Sequence, residues 1–314
     1  MKRMRFKVKR KIDIKRKRAM DMNHRIFKTV LVLMGVVGIV SGSLVVYFRL
    51  DEPVFFDHYY DQRVYAGTEQ YQQIFFDLSY ITNVDDNRVV SGITFPEHPE
   101  VVIRASEYGY GTVFNWESEK RRIPGRAYGR YSVRNVTCEM IELPQSEEMN
   151  EIVVTRARVL FDDASEMMVD IGEIHLYGFV LKKTPLKHIA SSGSSDGTGE
   201  TNYKLLENLT LTAVDSALMP KVKDSVKWQI NNSNPEDLVG MTFEEGDFLD
   251  VTTKISFTKG DLISQYTLFD INPELTFVDE AGTKYVERLY NIDSIYHSYS
   301  FMTLYRYIKM RGVN

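Results

Sequence analysis

Six histidines and one cysteine are the residues of this 314-residue chain whose types most often ligate metals or act as nucleophiles. The histidines are His24, His58, His98, His175, His188 and His297. No two have the spacing of metal ligands, and a single cysteine cannot form a structural zinc site. The sequence also contains no G-x-S-x-G motif and no phosphate-binding glycine loop. We therefore predict no catalytic residue, no metal site and no cofactor. These observations favour a protein that is not an enzyme.

Two acidic clusters carry oxygens of the kind that calcium prefers. They are Asp85, Asp86 and Asn87, and Asp162, Asp163 and Glu166. Both clusters fall where β-prone runs are interrupted, and acidic side chains in such turns commonly hydrogen-bond to their own backbone. We expect them to shape turns.

A cysteine-dependent enzyme is the catalytic alternative. The run VTC at 136–138, with His98 upstream and Arg156 downstream, resembles the Gram-positive sortases, which are transpeptidases with a Cys nucleophile, a His and an Arg. The resemblance implies Cys138 as the nucleophile. Strand alternation argues otherwise, since it places Cys138 and Met140 on an inward face and Arg156 on an outward one. We therefore expect Cys138 to be a small buried side chain.

Aromatic residues suggest a second alternative, a module that binds cell-wall glycans. They lie in and beside a segment rich in glycine and arginine: Tyr108, Tyr110, Trp116, Tyr128 and Tyr131. Amphipathic rings stack well on sugars and also bury well at protein contacts. Tyrosine is equally a favoured strand residue, so both interpretations stay open.

A run of twenty uncharged residues, Thr29 to Phe48, predicts where the protein resides. A helix of that length is about 30 Å long, which matches the hydrocarbon core of a bilayer. A cleaved signal peptide has a shorter apolar core and a small-residue cleavage site, and neither is present. We predict an uncleaved single-pass transmembrane helix within residues 26–49.

Charge on either side of this run predicts the orientation. Residues 1–25 contain twelve Lys or Arg and two Asp, a net charge of +10, whereas the rest of the chain carries −14. The positive side stays in the cytoplasm, so residues 50–314 are expected outside. The basic tail is expected to contact anionic lipids. The acidic remainder is not expected to bind nucleic acid.

Small residues in the same run allow a helix pair. Gly35, Gly38 and Gly42 lie near one helical face, and Gly38 and Gly42 form a G-x-x-x-G motif. A homodimer through these glycines is therefore an open expectation. The single cysteine permits no intrachain disulfide, which fits the surface of a Gram-positive bacterium better than an animal secretory route.

Alternation predicts a mainly β region after the anchor. Hairpins are predicted around turns at 83–87, 162–165 and 279–282. In one strand the inward positions are Val153, Ala157, Val159 and Phe161. In residues 248–257 they are Leu249, Val251, Ile255 and Phe257.

Composition predicts the domain boundaries. Residues 50–65 are interpreted as a stalk, 66–183 as a first antiparallel β-sandwich-like lobe, and 204–314 as a second. Residues 184–203, which are rich in Ser, Gly, Asp and Thr, are interpreted as a flexible linker or loop.

A short amphipathic helix is predicted at the carboxy terminus. Ser300 is its expected N-cap, and Phe301, Leu304, Tyr305 and Ile308 recur at helical spacing. We expect the helix to dock on the second lobe, with the membrane surface as the alternative.

These observations favour an extracytoplasmic interaction or sensing component of a membrane complex that is not catalytic. Its partner is expected to be another protein in the membrane or at the cell surface. The glycan-binding module and the sortase-like transpeptidase are the alternatives.

Overall fold

The computed structural model describes residues 2–65, 74–107, 125–142, 151–179, 184–290, 292–294 and 298–312. The chain divides into two compact units, Met1–Arg49 and Leu50–Asn314.

The first unit consists of one helix, α1, which runs from Lys2 to Tyr47. Its apolar part, Ile26–Tyr47, has 22 residues and a mean hydropathy of 2.4, and none of it is buried. A helix satisfies its own backbone hydrogen bonds, so an exposed apolar helix of this length fits a membrane anchor or a signal segment. The helix ends two residues before the predicted limit of the span at residue 49.

The second unit is mainly β, as predicted. Its strands are β1 (Val54–Phe55), β2 (His58–Tyr65), β3 (Ile74–Asn83), β4 (Val90–Thr94), β5 (Val102–Ser106), β6 (Arg126–Tyr128), β7 (Tyr131–Glu142), β8 (Ile152–Phe161), β9 (Glu166–Phe179), β10 (Leu186–Gly193), β11 (Thr198–Leu205), β12 (Leu209–Asp215), β13 (Val226–Ile230), β14 (Thr242–Phe243), β15 (Phe248–Ile255), β16 (Leu268–Ile271), β17 (Glu274–Val278), β18 (Lys284–Arg288) and β19 (Ile292–Asp293). Its helices are α2 (Met219–Val222), a 3-10 turn (Pro235–Leu238), α3 (Leu262–Tyr266) and α4 (Phe301–Met310).

The first sandwich encloses the larger core. One sheet has the order β1-β3-β7-β5, with β6 also paired to β7, and the other has the order β19-β16-β2-β9-β8-β4. Side chains of both sheets share one core cluster, among them Leu78 and Val136 from the first sheet and Val154 and Ile171 from the second, none of them exposed. Burial of these apolar surfaces is the main stabilising contribution.

The second sandwich has its own core. Its sheets have the orders β10-β11-β15-β13 and β14-β12-β17-β18. Leu205 and Leu249 from one sheet meet Leu211 and Phe277 from the other, and all four are at most 1% exposed. The predicted inward positions Leu249, Val251 and Ile255 are confirmed as buried, and Phe257 packs against a core cluster as a half-buried side chain.

The stalk interpretation of residues 50–65 is wrong. Strand β2 lies inside the six-stranded sheet, where it pairs in parallel with β9 and also in parallel with β16. Phe56 is completely buried, which explains why this short segment is rich in aromatic residues. Since β16 comes from the second half of the chain, strands from both halves of the chain build this sheet.

The interpretation of residues 184–203 as a flexible linker is also wrong. These residues form the hairpin β10–β11, paired from Leu186↔Leu205 to Gly193↔Gly199. Its turn is held by the Asp196 carboxylate, which accepts hydrogen bonds from the Thr198 amide and hydroxyl at 3.1 and 2.7 Å. Most of β10 is exposed, so the strand lacks the apolar alternation by which strands are recognised.

Two of the three predicted hairpins are confirmed: β8 with β9, and β17 with β18. The hairpin around 83–87 is wrong, because β3 and β4 belong to different sheets. The chain crosses between the sheets at this corner. There the buried Arg134 guanidinium donates hydrogen bonds to the carbonyl oxygens of Asp86 and Arg88.

A β-bulge changes the predicted face of β8. The register shifts between Val154 and Arg156, so Val154 is buried while Val153 is half-buried. Ala157, Val159 and Phe161 keep their predicted inward positions beyond the bulge. The extra residue of the bulge exchanges the inward and outward positions on one side of the bulge. A strict alternation of inward and outward residues does not predict this exchange.

Helix α4 begins at the predicted N-cap, where the Ser300 hydroxyl accepts a hydrogen bond from the Thr303 amide at 3.2 Å. It docks on a group that we call the aromatic cluster, which is Leu50, Val54, Phe56, Ile81, Tyr131, Leu262, Tyr266, Leu304, Tyr307 and Ile308. Leu262 and Tyr266 belong to the predicted second lobe, on which the helix was expected to dock, but half of the cluster precedes residue 132, so α4 packs on both predicted lobes.

Candidate interaction surface

A polar groove opens on the outward face of the β10-β11-β15-β13 sheet. The register places Lys227 of β13 directly opposite Lys254 of β15, and Lys254 opposite Thr198 of β11. The next outward row contains Gln229, Thr252 and Glu200. This cavity has a volume of about 780 Å³. We call it the lysine groove.

The sequence forms the groove because polar residues alternate with core residues on each strand. In β13, Val226 and Ile230 are buried while Lys227 and Gln229 are exposed. In β15, Leu249 and Val251 are buried and Lys254 is exposed. The outward side chains are therefore held on a sheet that is fixed by the second core.

The paired lysines give the groove a local positive charge. Like charges directly opposite on neighbouring strands destabilise a sheet. Among the described residues, no carboxylate lies within ion-pair distance of Lys227 or Lys254. Hydrogen bonds from Thr198, with a further contribution from the charge of Lys254, hold the pKa of Asp196 below its usual range. An anionic ligand group would relieve the repulsion between the lysines.

Neutral side chains complete the lining. Ser192 and Thr198 contribute hydroxyls, and Gln229 contributes an amide whose Nε2 donates to the Asn232 carbonyl at 3.4 Å. Trp228 borders the same groove, and its side chain packs against the second core. The hydroxyls and the amide can form hydrogen bonds, so the groove is suited to binding a polar ligand.

A second groove, of about 850 Å³, is mostly acidic in its polar lining. It contains Glu52, Asp57, Asp170 and Glu173 together with Arg311. Two of these acids already have cationic partners, because Arg311 pairs with Asp57 and Lys221 pairs with Glu173. The acids are therefore partly neutralised within the fold.

The sortase-like constellation is wrong. Cys138 is completely buried in the first core, and burial raises the pKa of its thiol far above the usual range. His98 pairs with Glu100 at 3.0 Å, and Arg156 pairs with Glu97 at 2.8 Å. A thiol without solvent access or a lowered pKa cannot act as the nucleophile.

The remaining described histidines have structural partners. His58 is completely buried and bonded through both ring nitrogens. His175 Nδ1 lies 2.9 Å from Glu151 Oε1, and His188 Nε2 lies 2.8 Å from the Ser191 hydroxyl. The side chain of His24 and all of His297 lie outside the described residues.

The acidic turn clusters form the turns themselves. Partial burial raises the pKa of Asp86, but hydrogen bonds from Arg88 and Thr82 outweigh it and lower the pKa to about 2. The Asp163 carboxylate accepts from the Ser165 amide and hydroxyl at 2.9 and 2.6 Å. In the part of the chain that the structure describes, no group of three or more His, Cys, Asp or Glu could hold a metal ion.

The two described members of the aromatic group proposed to bind glycans pack within the fold. Tyr131 is 1% exposed and stacks on Phe301 at 5.4 Å within the core. Tyr128 is half-buried and packs edge-on against Tyr299 at 5.6 Å. Tyr108, Tyr110 and Trp116 lie outside the described residues.

Sequence reasoning missed the lysine groove. The alternation predicted for residues 248–257 leaves Lys254 on the outward face, but nothing in a single sequence indicates that Lys227 lies opposite it. The segment VKWQI at 226–230 does alternate in the manner of a strand, which is the signal that was present.

Comparison with known proteins gives weak likenesses. No family model matches the chain, and no curated protein does. A protein of unknown function from Porphyromonas gingivalis W83 is 7% identical with a TM-score of 0.22, and 77% of this chain and 95% of that chain are covered.

Two further solved structures are similarly distant from this chain. The sialic acid binding region of a Streptococcus sanguinis SK1 adhesin is 11% identical with a TM-score of 0.23, over 77% of this chain and 78% of that one. The D00-D0 domain of intimin is 7% identical with a TM-score of 0.23, over 77% of this chain and all of that one. Because the TM-scores are below 0.5, no partner or activity of these proteins carries over to this chain.

Proposed function

We propose that this chain is a single-pass membrane protein whose residues 50–314 form an extracytoplasmic interaction domain without catalytic activity. The 22-residue apolar helix Ile26–Tyr47 serves as the anchor, and the +10 charge of residues 1–25 keeps the amino terminus in the cytoplasm. The domain presents the lysine groove to a partner in the membrane or at the cell surface.

The observation that carries this proposal is the cross-strand pair Lys227 and Lys254. The chain beyond residue 25 carries −14, so two adjacent lysines on one exposed face stand out against an acidic protein. A partner that supplies carboxylates would remove the repulsion between the lysines and gain charge-assisted hydrogen bonds. The preferred partner is therefore a protein with an acidic surface.

An acidic cell-wall glycan is the second candidate ligand. The hydroxyls of Ser192, Thr198 and Thr252 and the amide of Gln229 favour it, because such groups form the hydrogen bonds that orient a polar ligand.

Site-specific photocrosslinking in living cells tests the proposal. A photoreactive residue at Gln229 is expected to give a defined adduct, and the same residue at Lys284, exposed on the edge strand β18, is expected to give none. Substitution K227E together with K254E should abolish the Gln229 adduct. A protease-resistant adduct that is cut by glycan hydrolases would select the glycan. Adducts that are equal at both positions would contradict the proposal.

A further inference from the structure

Helix α4 exposes a face that mixes methionines with cations. Met302 is 56% exposed and Met310 is 50% exposed, and Arg306 and Lys309 are also exposed. At 3.6 residues per turn these four positions form one stripe about 100° wide. Lys309 Nζ lies 5.7 Å from the ring of Tyr305, which is half-buried beside the stripe.

The opposite face fixes the helix in place. Leu304, Tyr307 and Ile308 are at most 2% exposed and belong to the aromatic cluster. The capping box at Ser300 and Thr303 secures the first turn, and Arg311 pairs with Asp57 after the last. The exposed stripe is therefore presented on a rigid support.

Only a short covalent link separates this support from the apolar helix. Leu50 is 5% exposed and lies in the same cluster as Leu304 and Ile308. The apolar helix ends at Tyr47, and only residues 48 and 49 separate it from Leu50. Three residues span about 10 Å at full extension, so the covalent tether is short.

We infer that the exposed face of α4 rests on an anionic phospholipid surface. Arg306 and Lys309 contact the headgroup phosphates, and Met302 and Met310 reach the boundary of the acyl chains. Residues 298–312 contain no acidic residue, which matches this ligand. Met310 also borders the acidic groove that contains Glu52 and Asp57, so the cationic character belongs to α4 and not to this whole end of the domain. The inference rests on the anchoring in the proposed function.

Fluorescence quenching of the full chain in lipid vesicles tests this inference. A Met302→Cys variant is labelled with an environment-sensitive dye, and the buried Cys138 does not compete for the label. Brominated acyl chains are expected to quench the dye in vesicles that contain phosphatidylglycerol. Quenching should fall several-fold in vesicles of phosphatidylcholine alone and also in the R306E/K309E variant.

Two controls separate this surface from others. K227E/K254E changes the net charge by the same amount but should leave the quenching unchanged. A dye at Met241, which is 50% exposed just before β14, should not be quenched. An unquenched dye at 302, or quenching that R306E/K309E does not weaken, overturns the inference. Flotation of the vesicles measures separately whether the chain is anchored in the membrane. If the chain floats with the vesicles but the dye is unquenched, only this inference fails. If the chain does not float, the proposed anchoring fails as well.

Discussion

His58 connects the two sheets of the first sandwich through both of its ring nitrogens. The Ser79 amide of β3 donates to Nε2 at 2.9 Å, so the proton lies on Nδ1, which donates to the Ile171 carbonyl at 3.2 Å. A second proton on Nε2 would break the bond to Ser79. Burial accordingly lowers the pKa of His58 to about 4.

Stability should therefore fall in mild acid. Below pH 6.5 the unfolded chain protonates His58 while the folded protein keeps it neutral until about pH 4. The free energy of unfolding is therefore unaffected by His58 above pH 6.5. As the pH falls from 6.5 to 4, proton uptake by His58 in the unfolded chain lowers this free energy by about 3 kcal/mol. Urea unfolding of a soluble fragment that begins before Leu50, followed across this pH range, measures the loss.

Variants distinguish His58 from the carboxylates that titrate in the same range. His58→Gln should be less stable at pH 7 because packing and a hydrogen bond change, yet its stability should depend less on pH between 6.5 and 4. His188→Gln, at an exposed position, should keep the pH dependence of the wild type. A pH dependence that His58→Gln does not reduce would show that this histidine is not the group responsible.

At the residue scale, alternation within a strand predicted burial well. Cys138 and Met140 lie inward as expected because one strand alone determines which side chains share a face. The lysine groove could not be predicted in the same way. It depends on which strands are neighbours and on their register, and Lys227 and Lys254 are 27 positions apart in sequence.

Elements differ in how far their sequences reveal them. The β8–β9 and β17–β18 hairpins could be predicted because apolar alternation continues on both sides of a short turn. The β10–β11 hairpin could not, since its outer half is polar on both faces. The pairing of β2 with β9 and β16 is parallel and long-range, and no local pattern encodes such a contact.

At Gly172 the backbones of β2 and β9 approach too closely to leave room for a side chain. Its φ is +93°, and a Cβ there would lie 2.2 Å from the His58 carbonyl oxygen and 2.7 Å from the His58 nitrogen. Both atoms are backbone, so relief requires the two strands to separate. We expect Gly172→Ala to lower the free energy of unfolding by roughly 3 kcal/mol or more, measured by urea unfolding.

Gly282 supplies the matched control. Its φ is +83°, similar to that of Gly172, but a Cβ there would meet nothing within 4 Å. Gly282→Ala should therefore cost only the strain of a left-handed backbone, about 1 to 2 kcal/mol. Equal losses in the two variants would mean that backbone strain alone is responsible and that the close approach of β2 to Gly172 is unimportant.

At the scale of the whole molecule, segments that are far apart in the sequence pack into the same core. Strand β2 from the beginning of the second unit lies between β9 and β16, and α4 from the end packs beside Leu50. Composition could predict a β-rich region after an apolar helix, but the stalk that it placed at 50–65 contains β2, and the linker that it placed at 184–203 contains the hairpin β10–β11. Contacts between distant segments, which composition does not record, set the true boundary at residues 49 and 50.

The orientation across the membrane is the final prediction. Positive charge resists translocation, and residues 1–25 carry +10 immediately before the apolar helix, whereas Asp51 and Glu52 follow it. Protease added to sealed cells freed of their wall should therefore digest an epitope placed after Asn314 and leave one placed before Met1 intact. Detergent, which opens the membrane, should expose both epitopes and serves as the control. Protection of the carboxy-terminal epitope in sealed cells would reverse the orientation and would also leave the lysine groove facing the cytoplasm, where a cell-wall glycan could not reach it.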